Sequence, residues 1–559
     1  MRYQDSGGLV MNRSFTAEEA EGLEKGASSI GGALACPEMA RPEGKVSLLP
    51  LCALWFTLAL GFGPVRASEP ADAVVRPPAV AGTFYPGDAK KLEGAVKGYL
   101  ADALPPRGER PVALVAPHAG YLYSGQISAD AFRQAMGYDY DVVVILGTNH
   151  TAAPFDSVSV FQGRGYGTPL GVAEVDQPVA KALLASGFTY RPEAHAAEHS
   201  EEVQVPFIQV AFPKARIVPA VVGTPSLAVA ARFGQALARI LKGRKALIVA
   251  SSDLSHYPPY GEAVAADKAI LQAMASLDPQ ALEAAVGRQM KPERPGLLTC
   301  ACGEGAIFAA MVAAKAMGAT KGTVVSYANS GDTILGERDR VVGYGAVSFT
   351  SGPGAPDTKA LDRPPVPKGA ILGEADKAYL LALARSTVER YLTTGTLPLP
   401  RPLSPILREP RGAFVTIKQR GGLRGCIGHM AEDTPLEVVV SRMALEAALN
   451  DRRFPPVAVE ELPSLAYEIS VLTPLAPVAG PGAVVVGRDG VVIRKGGRSA
   501  VFLPQVAPEQ GWARDELLDH LCDKAGLPSD CWRRGCDLLT FQAVVFGEDK
   551  AGARRGGAK

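Results

Sequence analysis

Four short apolar runs constrain the first half of this 559-residue chain more than any other feature. They are PVALVAP (111–117), DVVVILG (141–147), RIVPAVVG (216–223) and KALIVASS (245–252). None alternates polar with apolar, so each predicts a strand buried on both faces, and such a strand needs cover on both sides. Segments with helical spacing, such as DQPVAKALLASG and SLAVAARFGQALARIL, lie between them. Apolar strands separated by helices give an α/β domain with a mostly parallel, layered sheet. VVSYANS and VVGYGAVSF add two strands near its end, and the domain spans 74–350.

A chain of this length exceeds one core. Residues 351–373 open with five prolines in SGPGAPDTKALDRPPVPKG and read as a semi-rigid linker. The second block, 374–548, starts with a helix at LLALARSTVERYL. It then mixes strands at AFVTI, YEISVL and GVVIR with a late helix at RDELLDHLCDKAG, which is an α+β pattern. The segment 549–559 reads as a disordered tail.

Lys+Arg is 58 against Asp+Glu 57, so no net basic field exists to draw nucleic acid. No zinc-finger spacing and no basic run with interleaved aromatics occurs either, which excludes the usual nucleic-acid binders. Residues 46–63, VSLLPLCALWFTLALGFG, form an uncharged apolar stretch behind Arg41 and Lys45 and before a small-residue site ending at Ala67. That order is a secretory signal, with Met39 as a natural start and 1–38 an upstream extension. The other reading is an uncleaved membrane anchor, since 18 apolar residues are near the minimum span. Either reading places the protein in an exported location, periplasmic or secreted; without a working leader it is cytoplasmic. Cys522, Cys531 and Cys536 are close enough for one pair to oxidise after export, and their spacing leaves the pairing open.

Three of the strand runs end alike. His118 follows the first directly, His150 follows the second after a short turn, and Asp253 and His256 follow the fourth. Parallel strands share a direction, so these side chains gather on the carboxyl edge, where open α/β sheets bind ligands. Cys300 and Cys302 precede an Ala-rich helical run, and a helix start favours the thiolate that ligates metal. Cys302 is the functional candidate and Cys300 the packing one. In EAHAAEHSEEVQVPF the order of Glu and His does not match a zincin, which leaves His199, Glu201 and Glu202 as substrate contacts or supports for the ligands. GRGYG (163–167) lacks dinucleotide-binding spacing. In the second block Cys426 sits between Gly425 and Gly428, with Arg424 placed to lower its pKa. His429, Arg453 and Glu468 are lesser candidates there.

APHAGYLYSGQISADAF, VVILGTNHT, EHSEE, SSDLSHY, ACGEGA and VSYANSGDT followed by VVGYGAVSF resemble, in order, the motifs of the Memo family over roughly 75–350. LRGCIGHM, LNDRRFPP, YEISVL and the closing LCDKAGLPSDCWRRGCDLLTFQAVVF resemble an AMMECR-type domain. Together they resemble fused B and A components of the AmmeMemoRadiSam system. The resemblance implies a first domain similar in fold to class III extradiol dioxygenases. It implies one mononuclear metal on His118, His150 and Cys302, with Asp253 and His256 beside it. A thiolate replaces the carboxylate ligand of those dioxygenases, and mixed imidazole and thiolate donors favour iron or copper, with zinc as the other option. Asp253, His256 and Cys426 are then the catalytic candidates, acting on a small-molecule or peptide substrate. A radical-SAM protein is the implied partner. The competing reading is a non-catalytic metal carrier or peptide-binding scaffold that uses the same cleft.

Overall fold

A computed structural model describes residues 73–291, 296–362, 371–402 and 404–548, so the leader and the tail lie outside the described residues. The first domain carries β1 (Val75–Arg76), β2 (Pro111–Ala116), β3 (Val142–Thr148), β4 (Val158–Val160), β5 (Gly165–Thr168), β6 (Gly171–Glu174), β7 (Arg216–Val222), β8 (Ala246–Ser251), β9 (Lys321–Asn329) and β10 (Gly343–Thr350). Seven of them form one sheet in the order β4-β7-β3-β8-β2-β10-β9. The four apolar runs of the sequence are its centre, with β7, β3, β8 and β2 all parallel. Both flanks are antiparallel: β10 and β9 beyond β2, and β4 beyond β7. GRGYG supplies β5, the middle strand of a small separate sheet with β1 and β6.

Every residue of β8 is buried, and Val142 through Leu146 of β3 have no exposed surface. Burial on that scale contributes about 1.5–3 kcal/mol for each large aliphatic side chain. The Ala-rich helix Glu304–Ala316 is apolar nearly all round, the mark of a helix with no solvent face, and it lies across β8, β2 and β3. Helix Leu227–Ile240 packs on it, while helix Tyr121–Ala135 covers β2, β10 and β9.

The expected linker is only partly one. Asp357 exchanges backbone hydrogen bonds with Gly322 and Val324 of β9, and the turn Lys359–Leu361 puts Leu361 into the first-domain core. The physical reason is that β9 is an edge strand, whose free N–H and C=O groups take up whatever chain runs beside them.

The second domain opens with helix Glu374–Thr394, followed by β11 (Ala413–Gln419), β12 (Gly422–His429), β13 (Leu465–Leu472), β14 (Ala476–Pro477), β15 (Gly490–Lys495), β16 (Arg498–Phe502), β17 (Asp537–Phe541) and β18 (Ala543–Gly547). These form two antiparallel four-stranded sheets, β12-β11-β13-β18 and β14-β17-β15-β16. Helix Leu436–Leu449 packs on β11 and β12, and helix Arg514–Lys524 carries Cys522, which is disulfide-bonded to Cys531 while Cys536 stays free. The two domains are clamped together. Arg401 Nη2 donates to both carboxylate oxygens of buried Asp130, and Arg442 donates to the carbonyls of Ile334 and Gly336. Ile334, Leu397 and Leu445 form an apolar knot beside them. Among the described residues, no helix is long and apolar enough to cross a membrane.

Candidate metal centre

Three imidazoles meet at the carboxyl edge of the parallel strands. His118 follows β2, His150 follows β3, and His199 comes from the turn ahead of helix Val205–Ala211, which leads into β7. One ring nitrogen from each lies within 4.8 Å of the others. The ring centroids are 4.6 Å apart for His150 and His199, 5.2 Å for His118 and His150, and 5.4 Å for His118 and His199. Cys302 Sγ stands 3.1 Å from His118 Nε2.

Two glycines make this convergence possible. A Cβ on Gly147, inside VVVILGTNH, would lie 2.5 Å from Ser200 Oγ and 2.7 Å from Glu201 Cγ, so only glycine lets the His199 turn close against β3. A Cβ on Gly303 would lie 2.3 Å from the Ser251 carbonyl, so glycine again lets the Cys302 turn approach the end of β8. Further hydrogen bonds lock both approaches. Thr148 N–H donates to Ser200 Oγ, Thr148 Oγ1 donates to the Cys302 carbonyl, and Gly303 N–H donates to Ser252 Oγ.

The hydrogen-bond network also assigns two tautomers. Ser251 Oγ gives its one proton to the Ser200 carbonyl at 2.6 Å and accepts from Gln204 Nε2 at 2.8 Å. Its 3.1 Å contact with His118 Nδ1 therefore has Nδ1–H as donor, which leaves the lone pair on Nε2, the nitrogen next to Cys302. His150 Nδ1 donates to Glu198 Oε1 at 2.9 Å, which likewise frees its Nε2. The fully buried Glu198 also accepts the backbone N–H groups of His150, His199 and Ser200. Burial alone would raise its pKa, yet the His150 ring and these amides hold it at about 2. The same carboxylate raises the His150 pKa above its ordinary value, although burial of the ring works the other way. Burial lowers His118 well below its ordinary value and, despite the neighbouring Glu198 carboxylate, brings His199 down to about 4.

Asp253 stands beside the cluster rather than in it. Its Oδ1 accepts the backbone N–H of His118 at 2.8 Å, and burial pushes its pKa up to about 7. It can therefore hold or release a proton near neutrality. His256 is drawn down to about 4 by burial and by the nearby His150 charge, and its buried Nε2 has no hydrogen-bond partner.

Other candidates are placed differently from the expectation. The Glu202 carboxylate is fully buried and committed to Arg76, Tyr85 and the amides of Ala79 and Val80. Glu201 Oε1 is taken by His195 and Tyr166, and His195 is itself buried between Ser159 and Tyr166. Neither glutamate contacts the three imidazoles, and the carboxylate that does is Glu198. Arg424 lies in the second domain, bound to Glu461, and is no part of this centre. It does not lower the Cys426 pKa: burial raises that thiol, and the cation opposing the rise is Arg453. Cys426 instead accepts from Thr416 Oγ1 at 3.3 Å on the face where β12 lies against β11.

Cys302 also departs from the thiolate expectation. It precedes the helix by two residues, and burial pushes its thiol well above the ordinary range. In metal-free protein at pH near 7.5, iodoacetamide is therefore expected to label Cys302 at least about tenfold more slowly than in the unfolded chain, followed by peptide mass spectrometry. Equal rates would restore the thiolate.

An α/β domain with a histidine centre at its carboxyl edge, fused to an α+β domain, is the class that this geometry defines. Comparison with known proteins places it further. The Memo-like protein family matches residues 76–348 and the AMMECR1 family matches 381–546. A MEMO1 family protein of Nitrosopumilus maritimus is 34% identical over 284 residues, covering 49% of this chain and 100% of that protein. One from Aquifex aeolicus is 39% identical over 277 residues, covering 49% and 99%. The crystal structure of an uncharacterized protein from Pyrococcus horikoshii is 39% identical, covers 32% of this chain and 93% of its own, and gives a TM-score of 0.30. The chain belongs to the MEMO1 family and carries an AMMECR1 domain behind the Memo-like one.

Proposed function

We propose that the first domain holds one redox-capable metal, iron or copper, and acts as an oxidoreductase on a small molecule or peptide, alongside a radical-SAM partner. The observation that carries this reading is the cluster of His118, His150 and His199 with Cys302 against it. The residues fit such a group. The network leaves Nε2 of His118 and His150 as lone-pair donors, and Cys302 adds a sulfur that becomes anionic only beside a cation. His118, His150 and Cys302, with His199 as the further imidazole, would hold the metal, and iron or copper supplies one-electron redox chemistry there.

Around it the chain supplies the rest. Glu198 and Ser251 orient the rings, Asp253 holds or releases a proton, and the unpartnered His256 Nε2 is a hydrogen-bond donor or acceptor for a bound substrate. The carrier reading uses the same donors and draws on the partial exposure of the His150 and His199 side chains, 29% and 20%.

The deciding experiment compares wild type with a His118→Ala/His150→Ala/Cys302→Ala variant by metal analysis, and then by oxygen and reductant consumption. Metal in wild type alone is the expected result, and equal metal content in both removes the site. Metal-dependent turnover supports the enzyme, and stoichiometric metal transfer without turnover supports the carrier. We further propose export through the leader 39–67. A reporter fused after residue 75 that is active only in the cytosol overturns that.

A further inference from the structure

We propose that a cavity between the two domains binds a small organic carboxylate. The cavity measures about 320 Å³ and is lined from both sides, by β9 and the loop after it in the first domain and by Leu399–Pro402 and the start of helix Leu436–Leu449 in the second. That size lies at the lower end for small-molecule sites.

Its wall gathers hydrogen-bonding atoms that have nothing to bind. Ser326 Oγ, Arg338 Nε and Arg401 Nη1 are buried and lack any partner. Ser326 is 8% exposed, so no bulk solvent compensates its hydroxyl. Each such atom is costly to leave unsatisfied, and folded proteins keep few of them. Three on one cavity wall mark a place built for an occupant, and two belong to guanidinium groups, which donate and never accept. An acceptor with two oxygens in a plane is the chemistry that matches.

The guanidinium groups are also fixed in advance. Arg401 Nη2 grips both oxygens of Asp130, which leaves Nη1 for another acceptor, and the Arg338 guanidinium lies over the Tyr260 ring at 3.8 Å. The wall also carries three acids, Asp332, Asp362 and Glu437, against four arginines. Asp332 accepts from the Tyr260 hydroxyl and from Asn329 N–H, and Glu437 sits in the first turn of helix Leu436–Leu449, where the helix end favours negative charge. The rest of the wall is apolar, with Leu104, Ile127, Leu399 and Val438. A phosphate would leave that part bare, whereas an acid with an aromatic or branched body fills it. This separates a carboxylate from inorganic phosphate.

The test uses the full chain and follows thermal unfolding against benzoate, with inorganic phosphate and chloride at matched ionic strength. Benzoate is expected to protect wild type saturably. Arg338→Met and Ser326→Ala are each expected to weaken that protection about tenfold or more, in line with a lost charged or buried hydrogen bond. Ser326→Ala keeps its unliganded unfolding midpoint, because the hydroxyl it loses has no partner, and so separates loss of the site from loss of the fold. Three results overturn the proposal: no saturable protection by benzoate, equal protection in wild type and both variants, or phosphate protecting as well as benzoate.

Discussion

Substituting His118→Ala is expected to weaken metal binding more than about a hundredfold, with Ser251→Ala weakening it by about ten- to a hundredfold. The order follows from the geometry. His118 contributes the ring nitrogen that faces Cys302, and without it the thiol loses its nearest imidazole. Ser251 touches no other donor of the centre, yet its hydroxyl forces the proton onto His118 Nδ1. Without that acceptor the ring is free to take the other tautomer and to rotate, and Nε2 is presented for only part of the time. Glu198→Gln belongs to the same class, since Gln lacks the charge that fixes the His150 ring and gathers the three turn amides. Metal titration of the three variants, with unfolding midpoints measured in parallel, checks this. If Ser251→Ala and His118→Ala bind metal equally well, the tautomer assignment fails.

The centre was only half legible in the sequence, and the reason is physical. A strand end announces itself, because a buried apolar run must stop where a polar residue begins. His118, His150 and Asp253 could therefore be placed on one edge from spacing and the parallel-sheet rule alone. His199 sits on no strand. It reaches the cluster because Gly147 has no side chain, and a glycine in an apolar run does not tell which distant segment closes on it. The choice among Glu198, Glu201 and Glu202 was equally hidden, since three acids within five residues differ only in which partner each meets. The parallel core and the α/β followed by α+β order were readable from periodicity. The docking of Asp357 on β9 and the Arg401–Asp130 clamp were not, as both depend on pairings across more than thirty residues.

The buried carboxylate that sequence reading assigned to the site is expected instead to dominate stability. Glu202→Ala should cost about 3–5 kcal/mol, because it leaves Arg76 as an uncompensated cation that is 3% exposed. The loss extends past the ion pair. Glu202 also accepts the amides of Ala79 and Val80 and the Tyr85 hydroxyl, so one substitution strands donors on three further residues. Arg76 in turn donates to the carbonyls of His195 and Glu198, which tie the start of the domain to the turn that bears His199. Arg76→Met should therefore also weaken metal binding, although Arg76 makes no contact with any of the three imidazoles. Glu202→Gln keeps the shape and some acceptors and should recover part of the stability. Denaturant unfolding of the three variants gives the comparison, and a cost under about 1 kcal/mol for Glu202→Ala would return this carboxylate to the solvent-exposed class, where ion pairs contribute little.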